Sequence, residues 1–205
     1  HRVSRRQRQM CIRDSSYLTQ HCPTTLVRRV LNNRETHDAD LYKGIAEMGW
    51  TATTIPEEYG GLGMSHLELV VIAEELGRAC APVPFSSSVY LAAEAIMALG
   101  TEAQKQAWLP KLADGSAIGC FALGEAGGAV TPDQISTSIA DGVINGTKVP
   151  VADGGIADVA IVVCKSDGGD GATLALVDLG QDAVAKDNVQ TVSYTHLTLP
   201  TTNSV

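Results

Sequence analysis

The chain has 205 residues and a formal net charge of −8, from 15 basic and 23 acidic side chains. Five arginines lie within the first 13 residues, so the rest of the chain is acidic and lacks the basic cluster that binding to nucleic acid requires. No apolar run reaches the roughly 18 residues that cross a membrane. The sequence therefore predicts neither a nucleic-acid interface nor a membrane span.

The two ends differ in character from the sequence between them. Residues 5–15 read RRQRQMCIRDS and residues 192–201 read VSYTHLTLPT, which resemble translations of one transposase sequencing adapter in opposite orientations. We predict that residues 1–15 and 192–205 derive from adapter DNA, and we leave them out of the fold prediction. The segment 16–191 keeps 10 basic and 22 acidic side chains, a formal charge of −12.

The cysteines and histidines show no pattern of a metal site. Cys22, Cys80, Cys120 and Cys164 are widely separated and include no CxxC pair. This spacing is typical of proteins in a reducing cytoplasm, and it favours the interpretation of each cysteine as a small buried apolar residue. The histidines of segment 16–191 have no partner four residues away. We predict a cytoplasmic protein without a metal site.

The first half of the chain shows helical patterns with recognisable ends. Ser65 with Glu68, and Thr101 with Gln104, form S/T-x-x-E/Q capping boxes at the start of two helices. The predicted helices run over 25–31, over 38–48, from Ser65 to Gly77, from a cap at Ser87 or Ser88 to Leu99, and from Thr101 towards Leu109-Pro110.

The segment Ile55–Gly63 reads IPEEYGGLG and joins two of these helices. Proline restricts the residue before it, whereas glycine reaches positive φ without steric cost. We predict a connector of defined shape. The neighbouring glutamates of Glu57-Glu58, like those of Glu74-Glu75, point apart in a turn or helix, so no acid–base pair is predicted from them.

From Ala117 the pattern changes to alternation with β-branched residues. Strands are predicted at 117–124, 134–140, 143–149, 157–165 and 172–179. Asp141-Gly142 is a hairpin turn, and 167–171 is a longer one. Helices followed by strands predict an α+β chain with a boundary at 114–118.

Several motifs resemble the acyl-CoA dehydrogenase family. They include the loop at 55–63, Glu74-Glu75-Leu76-Gly77-Arg78, the run from Lys105 to Gly115 that contains Trp108-Leu109-Pro110, Asn145-Gly146-Thr147-Lys148 and Ile156-Ala157-Asp158. The resemblance implies an α+β multidomain protein: an N-terminal α-helical bundle at 16–116 and an antiparallel β-barrel domain, truncated, at 117–191. It also implies that the C-terminal helical bundle is missing.

The resemblance implies an FAD-dependent oxidoreductase of fatty acid or lipid metabolism. Family members remove the α-proton of an acyl-CoA with a carboxylate and pass the β-hydride to flavin N5. That carboxylate lies in the C-terminal bundle, so no catalytic residue is assigned here. The expected partners are the acyl-CoA substrate, an electron-transfer flavoprotein or another electron acceptor, and further subunits of a homo- or hetero-oligomer.

The residues aligned with the family's flavin contacts are altered. Gly124 stands where the family has a threonine, and the aromatic and hydroxyl residues expected near 150–152 are replaced by Pro150-Val151-Ala152. No Gly-Ser-Asp turn is present, and Thr131 is the nearest hydroxyl. The residues expected at the cofactor, mainly through their backbone, are Phe121, Leu123, Gly124, Thr131, Val151 and Ala152.

These departures leave two alternatives to an acyl-CoA dehydrogenase. One is a non-catalytic partner subunit of a hetero-oligomer, in which another chain supplies flavin contacts and the base. Gly124 and Ala152 favour that alternative. The other is the oxidase branch of the same fold, which passes electrons to oxygen.

Overall fold

A computed structural model describes residues 15–126, 131–166, 171–188 and 194–199. The chain divides into two compact units. The helical unit contains residues up to Phe85 together with Gly100–Ser116, and the sheet unit contains Ser86–Leu99 together with the residues from Ala117 onward. Residues 86–99, which the sequence places in the helical domain, thus group with the strands. The domain boundary at 116/117 stays a prediction.

The described residues of the helical unit include five α-helices, and side chains cap the N-termini of three of them. Both predicted capping boxes are confirmed, at Ser65 with Glu68 and at Thr101 with Gln104. The Asp38 side chain caps a third helix by accepting from Leu41 N at 2.8 Å. These helices are α1 (15–21), α2 (Thr24–Asn33), α3 (Ala39–Glu47), α4 (His66–Ala79) and α6 (Glu102–Ala113).

The connector between α3 and α4 has the shape that its proline and glycines predict. Pro56 precedes a 3-10 turn at Glu57–Tyr59, and Gly60 and Gly63 adopt φ of 80° and 56°. The Gly63 amide donates to the Ile55 carbonyl at 2.9 Å, which closes the loop on itself. Its fixed position lets the Tyr59 hydroxyl donate to Glu102 Oε2 at 2.7 Å.

The sheet unit contains a seven-stranded mixed sheet. The long strand β4 pairs with β1 and β2 on one side and with β5 on the other, and β3 continues from β2 to β7 and then β6. The strands are β1 (Gly119–Ala122), β2 (Ser138–Ala140), β3 (Val143–Ala152), β4 (Val159–Ser166), β5 (Ala172–Asp178), β6 (Ala185–Asn188) and β7 (Tyr194–Leu199).

The helix-then-strand class and all five predicted strands are confirmed, but the sheet is not purely antiparallel. β1 and β2 both run parallel to β4. The sequence did not predict these pairings because hairpin signals report only on strands that are adjacent in sequence. The hairpin at Asp141-Gly142 is confirmed, with φ of 49° and 75°. Of the predicted turn at 167–171, only Gly171 lies within the described residues.

β7 lies in the segment that the sequence analysis leaves out of the fold. It pairs with β3 between Gly146 and Ala152, and with β6 along its other edge. The excluded segment therefore takes part in the sheet at Tyr194–Leu199. The physical reason is its alternating pattern of Thr and Leu, which suits a strand whatever its origin. Its derivation from adapter DNA stays a prediction.

The helix predicted to begin at Ser87 or Ser88 is instead a π-helix at Ser86–Ala93 that continues into α5 (Glu94–Leu99). Ser87 and Ser88 lie inside it rather than at a cap. The Ser87 hydroxyl donates to Asp153 Oδ2 at 2.5 Å, and the Ser88 hydroxyl accepts from Gly119 N at 3.1 Å. The π-helix thereby contacts the start of β1 and the turn that follows β3.

Each unit has its own apolar core. In the helical unit, Ile45, Trp50 and Ile55 are fully buried. In the sheet unit, Cys120, Val162 and Cys164 belong to one cluster with Ile144 and Val151. Among the described residues, none of the helices has the length and hydropathy to span a bilayer.

Candidate functional site

Three of the six predicted cofactor residues lie at the end of β1. Phe121 is half-buried within the strand, opposite Ile161 of β4. Leu123 follows the strand with 41% of its surface exposed, although the preceding Ala122 is fully buried. An exposed leucine beside a buried strand end offers an apolar surface to a flat ligand.

Gly124 packs against the backbone of β3. Its carbonyl accepts from Val149 N at 2.9 Å. A Cβ on residue 124 would lie 3.0 Å from the Val149 carbonyl oxygen and 3.5 Å from Pro150 Cδ. A larger residue therefore requires Val149 to shift by a few tenths of an ångström, which gives a steric reason for glycine at this position.

Val151 and Ala152 lie at the end of β3, after a register shift between Lys148 and Val151. Val151 is fully buried in the core of the sheet unit, so its side chain serves packing. Ala152 is half-buried and pairs in register with Tyr194. Only a methyl group is thus available at 152, and a backbone contact to a cofactor there stays a prediction.

Thr131 is placed differently from the other five predicted residues. It is exposed and precedes the 3-10 turn at Pro132–Gln134. Its hydroxyl donates to the Asp133 carboxylate, and this bond, followed by one from the Asp133 backbone, lowers the pKa of Asp133. The preceding segment 127–130 lies outside the described residues. The hydroxyl therefore has a local partner within its own turn.

A pair of charged residues that the sequence patterns did not predict lies beside Gly124. Lys148 of β3 is fully buried, and its Nζ donates to Glu125 Oε1 at 2.7 Å and to the Leu123 carbonyl at 3.2 Å. Burial alone would raise the pKa of Glu125, but hydrogen bonds from Lys148, Ser136 and Thr137 outweigh it and hold that pKa well below its usual range.

A pattern in the sequence points to this pair. Ile144 and Lys148 lie an even number of residues apart on β3, and both are buried. A lysine in phase with inward-facing residues of a strand requires a counter-charge, because an isolated buried ammonium is costly. Strand phase therefore indicates that Lys148 has an acidic partner, and the structure identifies this partner as Glu125.

The residues around Gly124 provide apolar contacts for a flavin ring rather than side-chain hydrogen bonds. Leu123 and the half-buried Phe121 offer apolar surface, and Gly124 lets the segment pack closely against the backbone of β3. The side-chain hydroxyls expected from the family pattern are absent at 124 and 152. The donor set thus fits a cofactor held by backbone groups and apolar contacts.

The remaining candidates from the sequence have structural roles. Glu57 and Glu58 are exposed, and Glu75 accepts from Arg78 Nε and Nη2 within α4 at 2.9 and 2.6 Å. Burial raises the pKa of the thiols of Cys22, Cys120 and Cys164, with that of Cys120 at about 12. Cys80 contradicts the expectation of burial, because it caps α4 at the surface with φ of 49°.

Residues 15–116 match the family model described as the N-terminal domain of acyl-CoA dehydrogenase. Acryloyl-CoA reductase (NADH) of Anaerotignum propionicum is 33% identical over 148 residues, 69% of this chain and 38% of that protein. Mitochondrial isovaleryl-CoA dehydrogenase of Arabidopsis thaliana is 34% identical over 152 residues, 70% of this chain and 37% of that protein.

The fold is also found in solved structures. A chain of the ChsE4-ChsE5 complex from Mycobacterium tuberculosis aligns with a TM-score of 0.84 at 27% identity, and the alignment covers 98% of this chain and 55% of that chain. The chain therefore spans about half of that structure and well under half of the curated relatives.

Proposed function

The chain belongs to the acyl-CoA dehydrogenase family, and on that premise we propose that it is part of an FAD-dependent enzyme that oxidises an acyl-CoA thioester between its α and β carbons. The observation that supports the proposal is the segment 121–125, where the exposed Leu123 and the half-buried Phe121 lie at the end of β1 in the position of the family's flavin motif. The chain spans 37–38% of the two curated relatives, so the activity is proposed for the whole protein.

The proposed division of labour follows from the chemistry. Bound FAD supplies the hydride acceptor. The residues of this chain would orient the ring: Leu123 and Phe121 would cover its apolar surface and exclude water, and backbone groups at Gly124 and Ala152 would hold its polar edge. The carboxylate that removes the α-proton is proposed for a C-terminal helical domain beyond this chain, as the family resemblance implies.

The proposal is tested with the full-length protein purified without added cofactor. We expect one FAD per chain and loss of the oxidised flavin absorbance when a saturated acyl-CoA is added without oxygen. A panel of short, branched and long acyl-CoAs identifies the preferred acyl group of the substrate. The corresponding enoyl-CoA products serve as the control, because they bind without delivering a hydride. A flavin that no member of the panel bleaches contradicts the dehydrogenase proposal.

A second candidate is a non-catalytic subunit that completes its flavin site with another chain. Gly124 and Ala152, which lack the family's hydroxyl groups, favour this candidate. The ChsE4-ChsE5 structure is by its title a complex of two named chains. Co-expression with the neighbouring gene products distinguishes the two candidates, since a partner subunit acquires flavin only in the presence of its companion.

A further inference from the structure

Glu125 and Lys148 connect three segments of the sheet unit around the predicted flavin residues. Lys148 Nζ contacts Glu125 Oε1 at 2.7 Å and the Leu123 carbonyl at 3.2 Å. The adjacent residue of β3, Val149, donates its amide to the Gly124 carbonyl at 2.9 Å. Each residue from 123 to 125 is thus held to β3 by one hydrogen bond.

The Glu125 carboxylate also fixes the other side of this segment. Its Oε2 accepts from Ser136 N at 2.8 Å and from the Ser136 hydroxyl, and its Oε1 accepts from Thr137 N at 3.0 Å. One side chain therefore joins the end of β1 to the residues that lead into β2. With Lys148 included, four donors converge on a carboxylate that is only 12% exposed.

Stability alone is a weak explanation for such a pair. Removing two charges from water costs energy that their attraction only partly returns, and apolar replacements of similar volume are often neutral or stabilising. A direct contact with cofactor or substrate is also a poor explanation, because Lys148 is completely buried and its Nζ is already bonded to Leu123 and Glu125. A role in holding the 123–124 backbone explains both why a buried ion pair is present and why Lys148 Nζ bonds to the Leu123 carbonyl.

We propose that Glu125 and Lys148 are positioning residues that hold the Leu123 and Gly124 backbone against β3 in the geometry that receives the flavin ring. This inference rests on the proposed flavin site. Gly124 has no side chain to define its own position, and its carbonyl is held by the Val149 amide of β3. The ion pair thus acts on the site through the backbone of residues 123–124 rather than through contact with the ring.

The test uses the full-length protein and the variants Lys148→Met, Glu125→Gln and their combination. Either single change leaves a buried polar partner without its counter-charge, whereas the double variant removes both charges. The matched control is Lys165→Met, because Lys165 also donates to a backbone carbonyl, that of Asp133 at 2.9 Å, but from β4 and without contact to 123–124. FAD affinity and the urea midpoint are measured for each.

If the pair positions the flavin site, FAD affinity and the urea midpoint respond differently to the double substitution. In the double variant we expect the urea midpoint to return close to wild type while FAD binds at least about tenfold more weakly, which corresponds to one lost hydrogen bond. Lys165→Met is expected to leave FAD affinity unchanged. Wild-type FAD affinity in the double variant overturns the inference. If the double variant does not fold, Lys148→Met provides the comparison of FAD affinity, since it removes the bond to the Leu123 carbonyl while Glu125 keeps its donors from Ser136 and Thr137.

Hydrogen exchange of the Val149 amide in the flavin-free protein tests this inference independently of the proposed function. Faster exchange in the double variant than in wild type supports positioning, because that amide bonds to Gly124. Unchanged exchange overturns it. If wild-type protein binds no FAD, the proposed function fails, and the exchange measurement still decides whether the pair fixes the segment.

Discussion

Gly61 lies directly against the Ile55 carbonyl, so that a Cβ on residue 61 would lie 1.9 Å from the Ile55 oxygen. This contact closes the loop between α3 and α4. The Gly61 amide donates to Pro56 O at 3.1 Å, and the next glycine along the chain bonds to Ile55 itself. The loop therefore requires glycine at 61 for space, independently of the positive φ that Gly60 requires.

Gly61→Ala is expected to destabilise the protein by about 1 to 3 kcal/mol, because backbone must move to admit the methyl group. The measurement is the urea midpoint of unfolding. Gly77→Ala is the control: nothing lies within 4 Å of a Cβ there and the residue is helical, so we expect a gain of about 0.5 to 1 kcal/mol. Equal effects of the two substitutions would contradict the loop geometry.

Acid stability is expected to depend on Glu125. Its pKa in the folded protein lies well below the value of about 4.3 in an unfolded chain. Its stabilising contribution is therefore fully present above pH of about 4.3 and is lost as the pH falls towards the folded pKa. We expect the unfolding free energy of wild type to fall more steeply below that pH than that of Glu125→Gln.

At neutral pH, Glu125→Gln is expected to cost about 3 to 5 kcal/mol, because Lys148 stays buried without a counter-charge. Glu74→Gln is the matched control, since Glu74 is exposed on α4 and surface substitutions stay within about 0.5 kcal/mol. A parallel pH dependence of wild type and Glu125→Gln would refute the ion pair as the source of acid sensitivity.

Alkaline titration is expected to detect the bond between Tyr59 and Glu102. The Glu102 carboxylate, followed by burial, raises the pKa of Tyr59 from 10.0 to about 12. The contribution of Tyr59 to stability is present below pH 10.0 and is lost as the pH rises through about 12. Glu102→Gln should return this phenol towards its ordinary pKa in an ultraviolet absorbance titration.

Tyr90 provides the internal control for this titration. Burial raises its pKa to about 12 as well, and no carboxylate is among the causes. Glu102→Gln should therefore lower the pKa of Tyr59 and leave that of Tyr90 in place. If both move, or neither does, the contact between Tyr59 and Glu102 is not the cause of the shift.

Ala152→Thr is expected to strengthen FAD binding in the full-length protein by about tenfold, because one added hydrogen bond is worth about 1 kcal/mol or slightly more. The residue is half-buried at the end of β3, so a larger side chain has room on one side. Ala172→Ser, at an exposed position of β5, is the control. A tenfold gain at 172, or none at 152, would contradict the placement of the ring edge.

Local signals predicted much of this fold. The capping boxes at Ser65 and Thr101 and the turn at Asp141-Gly142 depend on residues within four positions of each other, and all three are present. The glycines of the 55–63 loop likewise occupy the conformations that their residue type permits. Each of these features is set by backbone preferences that a short window contains.

Features that depend on distant residues escaped the prediction. The parallel pairing of β1 with β4 joins residues about 40 positions apart, and no hairpin signal reports it. The serines of the π-helix at Ser86–Ala93 bond to Gly119 and Asp153. The local sequence alone predicts a helix cap at these serines, because it does not contain those distant partners. Lys148 and Glu125 are 23 residues apart, and only strand phase connects them.

The flavin content of the full-length protein tests the central claim most directly. The protein is purified without added FAD, and its visible absorbance is recorded before and after a saturated acyl-CoA is added under anaerobic conditions. A yellow protein with one FAD per chain that bleaches on addition of the acyl-CoA is the predicted result. A well-folded, colourless protein that takes up no added FAD would contradict the claim.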